Sequence, residues 1–142
     1  MIPESYKKYA KAFFQIAKKD FERAKKMFEL KDYSMCVFFS QQAIEKSVKA
    51  MLETKLFYIR EHNILPYFVE KFKDEWKEEF NIIVEALDHL KFDWVRTRYP
   101  FEIESIILPE EYYDENKARK ALTYAERVLE IVEKYLKEKN VL

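Results

Sequence analysis

Not one of the 142 residues is glycine, and this omission removes more architectures than any other feature of the chain. Without a residue that enters left-handed backbone space freely, the glycine-rich turns that let a main chain approach a phosphate cannot be built. A P-loop and a dinucleotide-binding fingerprint are therefore excluded. Tight β-hairpins and glycine-capped helix ends are disfavoured for the same reason. Helices joined by polar or proline-containing connections remain.

The spacing of apolar residues supports that choice. From Ser5 to Leu30, Tyr6, Tyr9, Phe13, Ile16, Ala17, Ala24, Met27 and Phe28 recur at three- and four-residue steps, which predicts a long amphipathic helix. Lys31 and Asp32 leave room only for a tight turn, with Asp32 as N-cap of a second, antiparallel helix reaching about Lys55. That helix has one stripe of Tyr33, Val37, Ile44, Val48 and Met51, and another of Cys36, Ser40, Ala43, Ser47 and Ala50. The second stripe is uniformly small and admits a close neighbour, which places this helix at the bundle centre or in a subunit interface. Pro66 suits the first turn of a short helix through about Phe72. A third long helix is expected from about Asp74 to Leu90, and a last one from about Glu115 to Lys139. Together these predict an all-α, up-and-down bundle of four to five helices forming a single domain over residues 1–142.

The segment from Lys91 to Asp114 is longer than bundle connections usually are. It carries Phe92, Trp94, Val95, Tyr99, Phe101, Ile103, Ile106, Ile107, Leu108, Tyr112 and Tyr113. So apolar a strap must cover the bundle, a second subunit or a ligand. With the small-residue seam of the second helix, it predicts a homodimer or a higher even oligomer.

Charge selects no partner, because 26 Lys and Arg balance 26 Asp and Glu. The single cysteine, Cys36, cannot form an internal disulfide or a multi-cysteine metal site and is expected in the core. No apolar run approaches the roughly 20 residues a membrane-spanning helix needs. With no signal-like start, the expected location is cytoplasmic. Abundant Lys and Glu beside sparse Asn and Gln point to a thermophilic source. No metal site and no cofactor are expected: the two histidines, His62 and His89, show no His-Glu-x-x-His pattern.

Chemistry is sought where polar residues stand among apolar ones. Asp20 falls on the core stripe of the first helix, and Glu45 sits beside Ile44 and Val48 in the second. His62 opens a connection, and Arg98 lies in the strap within Arg96-Thr97-Arg98-Tyr99-Pro100. A buried carboxylate must be paired or neutral. The forked donors of Arg98 make it the expected partner of Asp20 or Glu45, yet they would equally hold a phosphate. An internal ion pair and a ligand site are both open, and the two can coexist. Asp20, Glu45, His62, Arg98 and Tyr99 are the candidate ligand-binding residues.

In this order the features resemble the HEPN family of small prokaryotic helical domains. The residues concerned are Asp20 and Ala24, Asp32-Tyr33, the block Gln41-Gln42-Ala43-Ile44-Glu45-Lys46-Ser47-Val48-Lys49-Ala50, His62, Arg98-Tyr99-Pro100, and a closing amphipathic helix. The resemblance implies a dimerising bundle, often encoded beside a minimal nucleotidyltransferase in toxin–antitoxin or defence modules. It also implies either a nucleotide- or RNA-associated binding module or a metal-independent ribonuclease. Ribonuclease members carry an Arg followed, after four to six residues, by a His. None of Arg23, Arg60, Arg96, Arg98, Arg119 and Arg127 has a His at that spacing. A non-catalytic binding module is therefore the expectation. The alternatives are a ribonuclease using His62 and Arg98, and a purely structural dimer.

Overall fold

The computed structural model describes residues 1–142. Two long helices, α1 (Glu4–Glu29) and α2 (Tyr33–Glu53), form an antiparallel hairpin, followed by the short α3 (Leu65–Phe72). A 3-10 turn, Lys73–Glu75, leads to α4 (Phe80–His89) and the single-turn α5 (Asp93–Arg96). Two short strands, β1 (Phe101–Ile103) and β2 (Ser105–Ile107), a turn of helix α6 (Pro109–Tyr112) and the long α7 (Glu115–Glu138) complete the chain. The molecule is an all-α bundle with one small hairpin on its flank, and no helix is long and apolar enough to cross a membrane.

Local chemistry accounts for most helix boundaries. Asp32 accepts from the Met35 amide and Asp114 from the Lys117 amide at 2.9 Å, so α2 and α7 both begin on an aspartate cap. Pro66 occupies the first turn of α3, where its missing N–H costs nothing.

Helix ends show how the chain manages without glycine. Lys31, Leu56 and Asn140 take left-handed φ values of 61°, 58° and 60° just beyond α1, α2 and α7. At each, the following amide reaches back to the helix: Asp32 to Met27, Phe57 to Leu52, and Val141 to Leu136. These are Schellman closures built on residues that pay about 1–2 kcal/mol of backbone strain each. The expectation that hairpins are disfavoured is overturned in the same way. Glu104, at φ 64°, turns the chain so that Ile103 pairs with Ser105, Glu102 with Ile106 and Phe101 with Ile107.

Helix α2 lies at the centre, buried along most of its length, with α1 and α7 packed on it. Cys36, Ser40, Ala43, Ser47 and Ala50 are all fully buried within one chain. The small-residue seam is thus used internally for close helix packing and is not free for a subunit interface. One apolar cluster joins residues from Ala10 to Val141.

Two expectations about helices need correction. On α1 the expected Ala17, Asp20 and Ala24 are buried, but they are joined by Ala10 and Phe14, while Tyr9 and Ile16 are exposed. Alanines let α2 approach closely, so the packed face is the small one rather than the most aromatic one. The third long helix does not run from Asp74. Trp76 is extended at ψ 131°, its Nε1 donates to Asn81, and its ring meets Phe80 edge-on with centroids 5.6 Å apart. The bend keeps Trp76 on the aromatic cluster by a route that helical spacing also mimics.

Candidate functional site

The polar residues of the Gln41–Lys46 block divide between two neighbours. Asp20 is 3% exposed, yet both of its oxygens are met: Arg23 Nη1 at 2.8 Å and Lys46 Nζ at 2.7 Å. Glu45, equally buried, accepts from Gln41 Nε2 at 3.3 Å and faces Lys49 Nζ at 3.4 Å. Its Oε1 also lies 3.0 Å from His62 Nδ1. With a carboxylate facing Nδ1, that nitrogen donates, and Nε2 points away from Glu45.

Arg98 is therefore not the counterion of Asp20 or Glu45, and the ion pair expected between them is absent. Lys46, Arg23 and Lys49 reach the carboxylates first because they lie on the same helical hairpin. Arg98 is exposed. Its Nε and Nη2 donate to the Trp94 carbonyl one turn earlier, and its guanidinium lies 4.7 Å from the Phe38 ring centroid and 5.4 Å from that of Tyr99. The remaining N–H donors of the fork meet no protein acceptor.

Trp94 joins the two halves. The His62 ring stacks on it with centroids 4.0 Å apart and planes 14° from parallel, and the His62 side chain remains 41% exposed. Glu45, His62, Trp94, Arg98 and Tyr99 thus form one contiguous run of contacts from the core to the surface. Asp20 stands beside it, linked only through Lys46. Sequence reasoning had counted Trp94 as strap and missed Gln41, Lys46, Lys49 and Phe38. The available signal was the four-residue step from Trp94 to Arg98, one helical turn.

The other side of α5 faces a cleft of about 310 Å³ against α7. Arg96, Lys117 and Lys120 line it, none of them paired with a carboxylate, and Phe92 and Tyr112 supply aromatic walls. In its floor the Tyr113 hydroxyl donates to Asp93. Burial raises the Asp93 carboxyl above its usual range, although the Tyr113 bond, His89 and Arg96 pull the other way. Burial and the Asp93 carboxylate together push the Tyr113 phenol up. Cationic side chains therefore stand on both flanks of α5. They present unused donors over aromatic faces, the chemistry that holds phosphates and stacked bases.

A model of the HEPN domain matches residues 10–135. The chain belongs to the HEPN family. Over 138 residues this HEPN chain is 36% identical to a Methanocaldococcus jannaschii protein named "Putative toxin MJ1304", with 93% of this chain and 91% of that protein covered. Its fold is similar to the crystal structure of TT1696 from Thermus thermophilus, at TM-score 0.71 and 25% identity over 88% of this chain and 96% of that one. It is also similar to ST0689, an archaeal HEPN homologue, at TM-score 0.70 and 26% identity over 89% and 97% of the two chains. The HEPN assignment thus rests on sequence and fold together, across nearly the whole chain.

Proposed function

We propose that this HEPN chain is the toxin-type member of a two-component module, binding nucleotide or RNA on the surface around Trp94. In this reading it works in the cytoplasm with a minimal nucleotidyltransferase as partner. The observation that carries the proposal is the run Glu45–His62–Trp94–Arg98–Tyr99. A phosphate would take the free donors of Arg98, a base would stack on the Tyr99 ring, and the ribose edge would face His62 Nε2. The relative named as a toxin supports the toxin side of the reading. The homodimer belongs to the same proposal. With the seam of α2 internal, its surface would be the strap hairpin, where Ile103, Ile106 and Leu108 are exposed. The test is a titration of single-stranded RNA and mononucleotides, followed by Trp94 fluorescence in a Trp76→Phe background. Saturable quenching that weakens in Arg98→Ala is expected, and no quenching by any of these ligands would refute the site.

A metal-independent ribonuclease is a second reading, favoured by one observation. Glu45 orients His62 through Nδ1 and leaves Nε2 without a protein partner, and Arg98 reaches the same tryptophan. Removal of a ribose 2′-hydroxyl proton by His62, with Arg98 holding charge on the phosphate, would use both groups. Binding without cleavage is the expected result with single-stranded RNA in chelator. Cleavage abolished by His62→Ala would promote the ribonuclease.

A further inference from the structure

At the far end of α2, about 12 Å along the helix from Glu45, lies a carboxylate that the proposed function does not use. Glu53 is 2% exposed, and while its backbone carbonyl accepts from the Leu56 amide, its side-chain carboxylate takes part in no hydrogen bond or ion pair within the chain. Every other buried acidic side chain here has a partner: Asp20 has Arg23 and Lys46, and Glu45 has Lys49, His62 and Gln41. Burial raises the Glu53 carboxyl above its usual range. A carboxylate largely withdrawn from water and given no partner costs more than a paired one.

Glu53 is not sealed off. It lines a cleft of about 450 Å³ whose other walls are Ser5, Tyr6 and Tyr9 from α1, and Tyr58 and Arg60 from the connection after α2. Tyr9 and Tyr58 are 61% and 55% exposed, large aromatic surface that the core does not need. The negative faces of phenol rings attract a cation, and a carboxylate at the base of the same cleft supplies the charge-assisted acceptor.

We propose that this cleft binds a small organic ammonium ion, its N–H donors on Glu53 and its carbon skeleton against Tyr6, Tyr9 and Tyr58. The bound ammonium is the partner Glu53 lacks. Arg60 lies at the exposed rim with no carboxylate partner, so its charge repels a second cationic group and sets the preference for monovalent amines over polyamines. A neutral alcohol of the same shape has no charge to offer Glu53 and binds more weakly.

The test is calorimetric titration of the full chain with n-butylammonium chloride, with 1-butanol as the neutral comparator and potassium chloride as the ionic-strength control. Saturable binding in roughly the millimolar range is expected for the amine, with the alcohol at least tenfold or so weaker. Glu53→Gln keeps shape and removes charge, and should lose roughly tenfold or more of the amine binding. Tyr58→Ala, at an exposed position, should lose roughly two- to fivefold. Circular dichroism verifies that both variants fold. Equal binding of amine and alcohol, an unchanged Glu53→Gln, or no saturable binding of the amine would each overturn the site. None of these results bears on nucleotide binding at Trp94.

Discussion

Replacing Arg98 by alanine tests the geometry around Trp94 most directly, because two arrangements predict different losses. In the structure the guanidinium sits on the surface, donates to one backbone carbonyl and covers the rings of Phe38 and Tyr99. A hydrogen bond of this kind contributes about 0.5–1.5 kcal/mol and an exposed cation–ring contact about 0.5–1 kcal/mol. Arg98→Ala should therefore cost about 1–2 kcal/mol. Had Arg98 neutralised a buried carboxylate, the loss would be about 3–5 kcal/mol. A chain of this length melts roughly 3–4 °C lower per kcal/mol, so the two cases differ by about 3–8 °C against at least 10 °C or so. Lys46→Ala is the internal comparison. It removes from Asp20 a partner at 2.7 Å and leaves only the half-exposed Arg23, so it should cost more than Arg98→Ala, about 2–3 kcal/mol. The assay is thermal melting of both variants beside wild type, with nucleotide or RNA titration of Arg98→Ala. Binding should weaken roughly tenfold or more while the fold persists. If Arg98→Ala destabilises more than Lys46→Ala, the assignment of Asp20 to Lys46 is wrong. If the fold persists and binding is unchanged, the ligand site is wrong.

Three further outcomes follow from particular residues. Leu56→Gly should stabilise by about 0.5–1 kcal/mol in urea unfolding, because relief of left-handed strain at a half-exposed position exceeds the extra chain entropy of glycine. Burial holds the Glu53 carboxyl above its ordinary value, so the native state binds that proton more tightly than the unfolded chain. Its stabilising effect is present below the ordinary carboxylate range and lost as pH rises through the raised value. Glu53→Gln should therefore melt higher than wild type near pH 7 and no higher near pH 4, and equal melting at both would refute the unpaired carboxylate. Burial pushes the Cys36 thiol up to about 12, so iodoacetamide at pH 8 should label it only on unfolding, and rapid native-state labelling would contradict its burial against the Ala118 carbonyl.

Features decided by a few neighbouring residues were legible from the sequence. The cap at Asp32, the proline start of α3 and the central place of α2 depend on local hydrogen bonds and on side-chain size. The start of α4 was not legible, because Trp76 has the spacing of a helical residue while sitting on a bend that serves the same aromatic cluster. The buried face of α1 was read in part: Ala17, Asp20 and Ala24 were on the expected stripe, but hydrophobic weight favoured Tyr9 and Ile16, whereas close packing against α2 selected Ala10 and Phe14. Glu53 was invisible as a site because it becomes unusual only through what fails to approach it.

Ion-pair partners posed a different difficulty, and the Gln41–Lys46 block shows why. Adjacent positions on a helix point about 100° apart, so Glu45 and Lys46 cannot serve the same neighbour. Lys46 turns toward α1 and meets Asp20, while Glu45 turns toward the connection after α2 and meets His62. Gln41 and Lys49, one turn to either side of Glu45, then complete its coordination. Each of these residues is fixed by the rotation of α2 about its own axis, which a linear pattern does not reveal. That same rotation frees Arg98. Once Lys46 and Arg23 satisfy Asp20, and Lys49, Gln41 and His62 satisfy Glu45, the strap arginine has neither of those charges to answer, and its unused donors remain on the surface beside Tyr99.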